Sequence, residues 1–426
     1  MGFMDRLRGS TVLREPVDIL LADIAIRVQL TATDHNKAVA RYQTINEWLE
    51  RDGSPLQGRV QLLYAQGSMA IGATIAARLR TDEYDIDIIV ELDLPSGLDA
   101  ETILDLLFHS IRGKPGSRYY SMTSRRNRCV TVSYADGMHL DLTPAELVVP
   151  QLAPRTSLIC HHKPETPEVP GFRLVANPFG FADWFKQMTP LDHFAEAFAK
   201  RAFDAEQRML VEKADAVPVP PQEEAHRKSK AVIALQLLKR ARNVRYDSRH
   251  NRRRPPSVML AKLIADGANM TTTLSEEVLH QARQVHETIA AAHRQGVLIS
   301  IFNPRCDRDC FTDRWPGTRA EQATYLGDLA DFVGKVEYLR SGECDLREMQ
   351  AVMVDLFGEN PTGAVFKSFN EQLGDRIRTG QSVYRPGTSN LDLTKSGLLR
   401  PAAPVIVPAA TVTTPRHTFF GGDRRE

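Results

Sequence analysis

Apolar positions recur every three to four residues over 14–29 and again over 34–51, so the chain is predicted to open with two amphipathic helices. Thr33 or Asp34 is the expected N-cap of the second helix, and Gly53 closes it. The period changes at Val60. Residues 60–65 read as a short strand, Gly67-Ser68 punctuates it, and 69–77 can form one or two helical turns. A second strand is predicted over 86–92, after the cluster Thr81-Asp82-Glu83-Tyr84-Asp85. A helix over 100–112, a Lys-Pro-Gly turn and β-branched alternation over 129–134 follow. Asp136-Gly137 is a hairpin signal, with His139-Leu140-Asp141-Leu142 as the returning strand. This mixed order predicts an α+β lobe over about residues 55–160.

From Phe181 onward helical periods dominate, over 181–188, 191–213, 228–242, 257–268 and 274–294, so the second lobe is expected to be mainly α. Pro218-Val219-Pro220-Pro221 interrupts these helices, and 251–256 makes a basic turn. After Gly397 the chain is rich in Pro, Thr and Ala without a usable period, which predicts a flexible tail. The expected organisation is N-terminal helices packing on both lobes (1–58), a sheet lobe (59–176), a helical lobe (177–397) and the tail (398–426). No internal repeat is visible.

Composition agrees with two lobes, since 426 residues exceed what one hydrophobic core usually organises. With 42% apolar and 25% charged residues the chain reads as an ordinary globular protein. No apolar run approaches the roughly 20 residues needed to cross a bilayer, and the opening residues lack the apolar stretch of a secretory signal. A cytoplasmic location without a membrane partner is expected. Five cysteines, an odd number, do not suggest a disulfide framework. Cys306 and Cys310, or Cys160 with His161 and His162, suggest zinc only weakly, because no second ligand pair of suitable spacing accompanies them.

Charge is unevenly placed. Eleven Lys or Arg and one acid, Asp247, lie between Arg227 and Arg254, while the rest of the chain carries 43 bases against 52 acids. Such a segment suits a polyphosphate or nucleic-acid partner, and equally suits a solvated helix face followed by a basic loop. Arg125, Arg126 and Arg128 are a second basic run, more often solvated than engaged with a ligand.

The chemistry concentrates at Gly67-Ser68, at Asp85-Ile86-Asp87 heading a strand, and at Asp141 on a later strand. Strand residues i and i+2 share a face, so Asp85 and Asp87 can stand side by side while Ile86 faces the core. Carboxylates that close repel unless a cation lies between them. If Asp141 pairs beside them, the three acids suffice for two hard cations about 3.5 to 4 Å apart. Gly67 permits close backbone approach to a ligand, and Ser68 offers a hydroxyl and an amide to a phosphate oxygen. Taken alone, a strand-edge Asp-x-Asp is more often a turn cap than a metal site. The apolar flanks Ile88-Ile89-Val90, Leu140 and Leu142 favour buried strands that hold the acids at their ends.

At these residues the chain resembles the DNA polymerase β-like nucleotidyltransferase superfamily, and within it the template-independent branch of bacterial cyclic-oligonucleotide synthases, cyclic GMP-AMP synthase and oligoadenylate synthase. The resemblance rests on Gln66-Gly67-Ser68-Met69-Ala70-Ile71-Gly72-Ala73-Thr74, Tyr84-Asp85-Ile86-Asp87-Ile88, Leu140-Asp141-Leu142-Thr143-Pro144, Asn177-Pro178 and Trp184-Phe185. It continues through Leu237-Leu238-Lys239-Arg240 and Pro256-Ser257-Val258-Met259-Leu260. It implies a polymerase β-like α+β lobe, a helical second lobe and an active site in the cleft between them.

Asp85, Asp87 and Asp141 would be the catalytic and metal-binding triad for two Mg²⁺, with Mn²⁺ as a substitute and Asp141 activating the attacking ribose hydroxyl. Gly67 and Ser68 would cradle phosphate, Lys239 would reach the triphosphate, and Ser257 would touch phosphate from the following helix. The basic segment would help escort pyrophosphate. The resemblance further implies nucleoside triphosphate substrates, ATP among them, and a cyclic di- or trinucleotide acting on a separate effector in anti-phage signalling. Alternatives are nucleotidyl transfer to an RNA end or protein hydroxyl, or a non-catalytic nucleotide- or nucleic-acid-binding scaffold. Without a stacking series of aromatics a nucleic-acid activator is unsupported. Gly421-Gly422 invites comparison with relatives conjugated through their C-terminus, which would make the tail a regulatory or conjugating surface, although this chain ends in Glu426.

Overall fold

The computed structural model describes residues 13, 15–76, 84–148, 154–166, 168–212, 227–249, 252–268, 273–378, 383–384, 390–392 and 411–413. Two helices lead, α1 (Pro16–Val28) and α2 (Ala32–Leu49). Pro16 starts α1 at a position where its missing N–H leaves no bond unmade. The cap of α2 is Thr31, ahead of the expected Thr33 or Asp34: its hydroxyl oxygen accepts from the Asp34 amide at 3.0 Å. Asp34 is therefore a first-turn acid inside the helix, where the N-terminal dipole favours it.

The sheet lobe comprises β1 (Val60–Ala65), the single turn α3 (Gly67–Ala70), β2 (Tyr84–Leu92), α4 (Ala100–Arg112), β3 (Thr123–Arg125), β4 (Val130–Ser133), β5 (Met138–Leu147), β6 (Ser157–His161) and β7 (Phe172–Ala176). The strands form one sheet in the order β1-β2-β5-β4-β3, with β6 also on β5 and β7 on β6. Only β2 and β5 run parallel. Ile86, Ile88, Val90, Leu140 and Leu142 pack with Ile45 and Leu49 of α2 and Leu107 and Ile111 of α4. Alternation then sends Asp85, Asp87 and Asp141 to the opposite face. The hairpin at Asp136-Gly137 forms as expected: Gly137 has φ +87°, and the Tyr134 amide donates to the Met138 carbonyl at 2.9 Å.

The helix expected over 69–77 is shorter, and it begins at Gly67. Beyond it the carbonyls are taken by partners distant in the chain, which pulls the backbone out of the helix. Thr74 O accepts from the Leu30 amide, and the Ala76 amide donates to Val28 O at 2.9 Å. Local helix propensity loses here to tertiary bonding.

The helical lobe contains α5 (Pro178–Met188), α6 (His193–Glu212), α7 (Lys230–Asp247), α8 (Ser257–Asp266), α9 (Leu274–Arg294), the short strands β8 (Phe302–Asn303) and β9 (Cys306–Cys310), then α10 (Arg319–Ser341), α11 (Leu346–Phe357) and α12 (Glu359–Arg378). Buried along most of its length, α7 is the axis of this lobe. It outruns its expected end at 242 because Arg245 bonds Asp355 at 2.8 Å and Arg249 bonds Asp328 at 2.6 Å. The two leading helices divide: Leu20, Leu21 and Ile24 of α1 belong to the helical core, whereas Ile45 and Leu49 of α2 belong to the sheet core.

Last come β10 (Val383–Tyr384), β11 (Asn390–Asp392) and β12 (Thr411–Thr413), a small antiparallel sheet. Thus one β-branched segment of the expected tail, Thr411-Val412-Thr413, is paired rather than loose. Gly421-Gly422 and the proline cluster 218–221 lie outside the described residues. Among the described residues no helix is long and apolar enough to cross a membrane.

Asp18 ties α1 to α9. Its Oδ1 accepts from the Ser275 amide at 2.7 Å, in the first turn of α9, and burial raises its carboxyl to about 6. The folded-state value lies above the unfolded one of about 3.9. The proton-linked stability is therefore present below about pH 4 and lost as pH rises through about 6. Asp18→Asn lacks this loss, so the Tm of the variant relative to wild type should climb between pH 4 and 7, by an amount equivalent to at most about 3 kcal/mol. Thermal melts at pH-independent separation would contradict it.

Candidate active site

The parallel pairing of β2 with β5 sets Asp87 directly opposite Asp141, and Asp85 opposite His139. All three carboxylates project from one face of the sheet, as the spacing predicted. Asp85 is exposed, one pleat further out. Enclosure away from water, then the charges of Asp141 and Asp85, push the Asp87 carboxyl up to about 7, while Lys239 pulls against them. Thr131 lies opposite Asp141 on β4 and donates its hydroxyl to Oδ1 at 2.5 Å. That partner was not anticipated, although the β-branched run preceding the hairpin offered a signal for it.

The acids do not close into a finished cation cage among the described residues. They form an open row with Asp87 and Asp141 at its centre. A carboxylate that holds a proton near neutrality because it is buried and crowded by two others belongs to a donor set suited to a hard divalent cation, which would take the place of that proton.

Gly67 stands against this row. Its φ is +57°, and a Cβ built there would lie 2.8 Å from Asp87 Oδ2. Both the backbone and the carboxylate therefore require glycine. The Gln66 amide donates to Asp87 O at 2.8 Å, which locks the turn to β2. Ser68 follows, its hydroxyl 3.5 Å from that of Thr74 and its carbonyl accepting from the Ala73 amide at 2.8 Å.

From the other lobe, Lys239 Nζ donates to Ala73 O at 2.6 Å, and Gln236 Nε2 donates to Thr74 O at 3.1 Å. The two side chains project from one face of α7, a turn apart, onto the segment that follows Gly67-Ser68. Lys239 is buried, and burial followed by the neighbouring Arg242 lowers its ammonium to about 7 against the opposing pull of Asp87. The Gln236 contact was not foreseen, since a glutamine within an apolar helix carries no motif. Ser257 opens α8 after Pro256, and α8 packs against α3. Gly67, Ser68, Asp85, Asp87, Asp141 and Lys239 are thus linked by bonds or charge, whereas Ser257 is associated with them through helix packing.

The basic segment is largely turned inward, which corrects its expected role as a phosphate escort. Arg240 bonds Phe357 O, Arg242 bonds Pro255 O at 2.6 Å, and Arg245 and Arg249 pair with acids of α10 and α11. The acids that balance the segment lie some 80 to 110 residues away in sequence, so a local charge count misses them. Arg252, Arg253 and Arg254 stay exposed. Likewise Arg125 bonds Asp105 at 2.8 Å and Arg128 pairs with Asp313 of the helical lobe at 3.3 Å.

Residues 17–163 match the family model described as the Second Messenger Oligonucleotide or Dinucleotide Synthetase domain. The chain is 37% identical over 423 residues to the cyclic dinucleotide synthase CdnG of Bradyrhizobium diazoefficiens, covering 98% of this chain and 97% of that protein. It is 26% identical over 373 residues to a c-di-GMP synthase of Roseivirga ehrenbergii, covering 86% and 91%. The solved structure of the Bradyrhizobium diazoefficiens CD-NTase CdnG in complex with GTP matches with a TM-score of 0.71 at 35% identity, over 83% of this chain and 98% of that one.

Gly67→Ala separates the needs of the fold from those of the site. The left-handed φ should cost about 1 kcal/mol of stability. The new methyl displaces only the tip of Asp87, so the fold persists while the carboxylate row is broken. A melt lowered by a few degrees, together with at least a tenfold loss of Mn²⁺ affinity read by titration, is expected. Unchanged metal affinity would show that the turn does not position Asp87.

Proposed function

The chain belongs to the CD-NTase family, with its polymerase β-like nucleotidyltransferase fold, and we propose that it joins two nucleoside triphosphates without a template into a cyclic dinucleotide, releasing pyrophosphate. The observation that carries this reading is the placement of Asp87 beside Asp141, with Gly67-Ser68 on one side and Lys239 of the second lobe above. GTP is the first substrate to consider, because one relative is known in complex with GTP and another is a c-di-GMP synthase. ATP is the second.

Asp85, Asp87 and Asp141 would hold two Mg²⁺, or Mn²⁺ in their place, and such ions when bound neutralise charge on the α-phosphate and on the attacking and leaving oxygens. Asp141, its Oδ1 fixed by Thr131, accepts the proton of the attacking ribose hydroxyl. The hydroxyl oxygen forms a bond to the α-phosphorus as the bond from that phosphorus to the bridging oxygen breaks, and pyrophosphate departs with the electron pair. Repeating the step within the linear product closes the ring. Ser68 and Lys239 bind the leaving phosphates, Lys239 exchanging Ala73 O for a phosphate oxygen as its ammonium regains full charge. Ser257 would assist from the start of α8. The product then acts as a cytoplasmic second messenger on a separate effector, in keeping with an anti-phage role.

Mass spectrometry of products formed from the four ribonucleoside triphosphates with Mg²⁺ tests the reading directly. A phosphatase-resistant cyclic dinucleotide is expected; only linear or acceptor-linked products would refute it. Asp85→Ala combined with Asp87→Ala should abolish synthesis while leaving Tm unchanged or higher, because removing crowded like charges relieves repulsion. For Lys239→Ala the expected effect is at least a tenfold rise in the apparent KM for triphosphate, read from initial rates, as a charge-assisted contact is lost.

A further inference from the structure

A cavity of about 450 Å³ opens where the start of α2, the turn after α3, the end of α5 and the start of α7 meet. Met69, Phe185 and Val232 line its apolar side, and Lys186, Arg227 and Lys228 its charged side. Among the described residues no Asp or Glu lines it, and neither the carboxylate row nor Lys239 nor Ser257 does. Its size falls in the roughly 300–1,000 Å³ range of small-molecule sites, and its make-up, apolar walls with a few convergent polar groups, is typical of them.

Lys228 is the informative residue. Only 6% exposed, it donates from Nζ to Gln29 Oε1 at 2.5 Å, a neutral acceptor. A buried ammonium whose hydrogen-bond partner is an amide is costly to keep charged. Burial accordingly lowers it to about 7, although the charge of Glu206 opposes the shift. An anion in the cavity would add to the countercharge of Glu206, which alone does not offset the burial of Lys228. The wall also touches the phosphate turn: Met69 to Gly72 directly follow Gly67-Ser68, and Thr74, whose hydroxyl meets that of Ser68 at 3.5 Å, lines the cavity as well.

We infer that this cavity is a second ligand site, distinct from the nucleotide cleft, for a small molecule carrying an apolar ring system and one anionic group, and that its occupancy is transmitted to the Gly67-Ser68 turn. The transmission, though not the binding, rests on the nucleotidyltransferase reading above. The probe is 8-anilinonaphthalene-1-sulfonate, titrated by fluorescence into the full chain with and without saturating GTP and Mg²⁺.

One saturable site is expected, retained in the presence of GTP with an affinity shifted by a few-fold. Lys228→Met should weaken it about tenfold, the worth of one charge-assisted contact. Leu191→Trp, which fills the rim at a side chain 60% exposed and so leaves the core untouched, should weaken it at least as much. Equal affinity in wild type and Leu191→Trp would overturn the site even if Lys228→Met failed to fold. Apparent affinity falling in proportion to GTP would assign the cavity to the substrate cleft and overturn it equally. Probe binding that persists while no cyclic product forms would instead fault the enzymatic reading alone.

Discussion

The parallel ladder between β2 and β5 is the constraint on which the rest depends, because it forces Asp87 and Asp141 into register with no freedom to separate. In water two such carboxylates would drift apart. Here the backbone bonds of the two strands hold them, and burial together with the repulsion displaces the Asp87 carboxyl to about 7. The sheet tolerates this because Ile86, Ile88, Leu140 and Leu142 fill the other face with core. Apolar burial on one side of the strands thus sustains electrostatic strain on the other, a strain that a bound cation would relieve.

The second lobe is tied to this arrangement through the segment 73–76. That stretch is too short to make a helix of its own and belongs to no long strand, yet the Ala73 and Thr74 carbonyls and the Ala76 amide all have partners distant in the chain. Leu30 and Val28 reach it from the N-terminal helices, Gln236 and Lys239 from α7. Since the same stretch follows Ser68 and precedes Asp85 in the chain, α7 is bonded to the backbone that separates the Gly67-Ser68 turn from the carboxylate row. The division of α1 and α2 between the two cores has the same consequence, as the linker around Leu30 joins them at this point.

What could be read from the chain and what could not divide along one line. Groups whose position follows from strand alternation or a tight turn were legible: Asp85 and Asp87 by their spacing, Asp141 by the hairpin before it, Gly67 by its punctuation. Elements depending on distant partners were not. α10 carries Tyr325, Leu329, Phe332, Val336 and Leu339 at helical intervals, all buried, a stripe that was available but not assigned. The edge hairpin of β6 and β7 has no such pattern, with Phe172 exposed on one strand and buried His161 on the other, so alternation does not announce it. The basic segment misled for the same reason, because its balancing acids on α10 and α11 become neighbours only on folding.

Lys228 and Lys239 sit on the same side of the same helix region, and their contrast sharpens how this protein uses buried cations. Each is almost fully enclosed, each donates to a neutral oxygen, and each is lowered to about 7. Lys239 faces Asp87 and the segment after Gly67-Ser68, and in the reaction proposed above a polyphosphate would restore its charge. Lys228 faces a cavity lined, among the described residues, by further cations and no acid, the charge of Glu206 acting on it from outside that lining. A buried ammonium bonded to an amide contributes little to stability even with the charge of Glu206 acting on it; a hydrophobic residue of similar volume would serve the core better. On the proposed function an anionic ligand would offset that cost at Lys239, and the same physical argument favours an anion beside Lys228 as well.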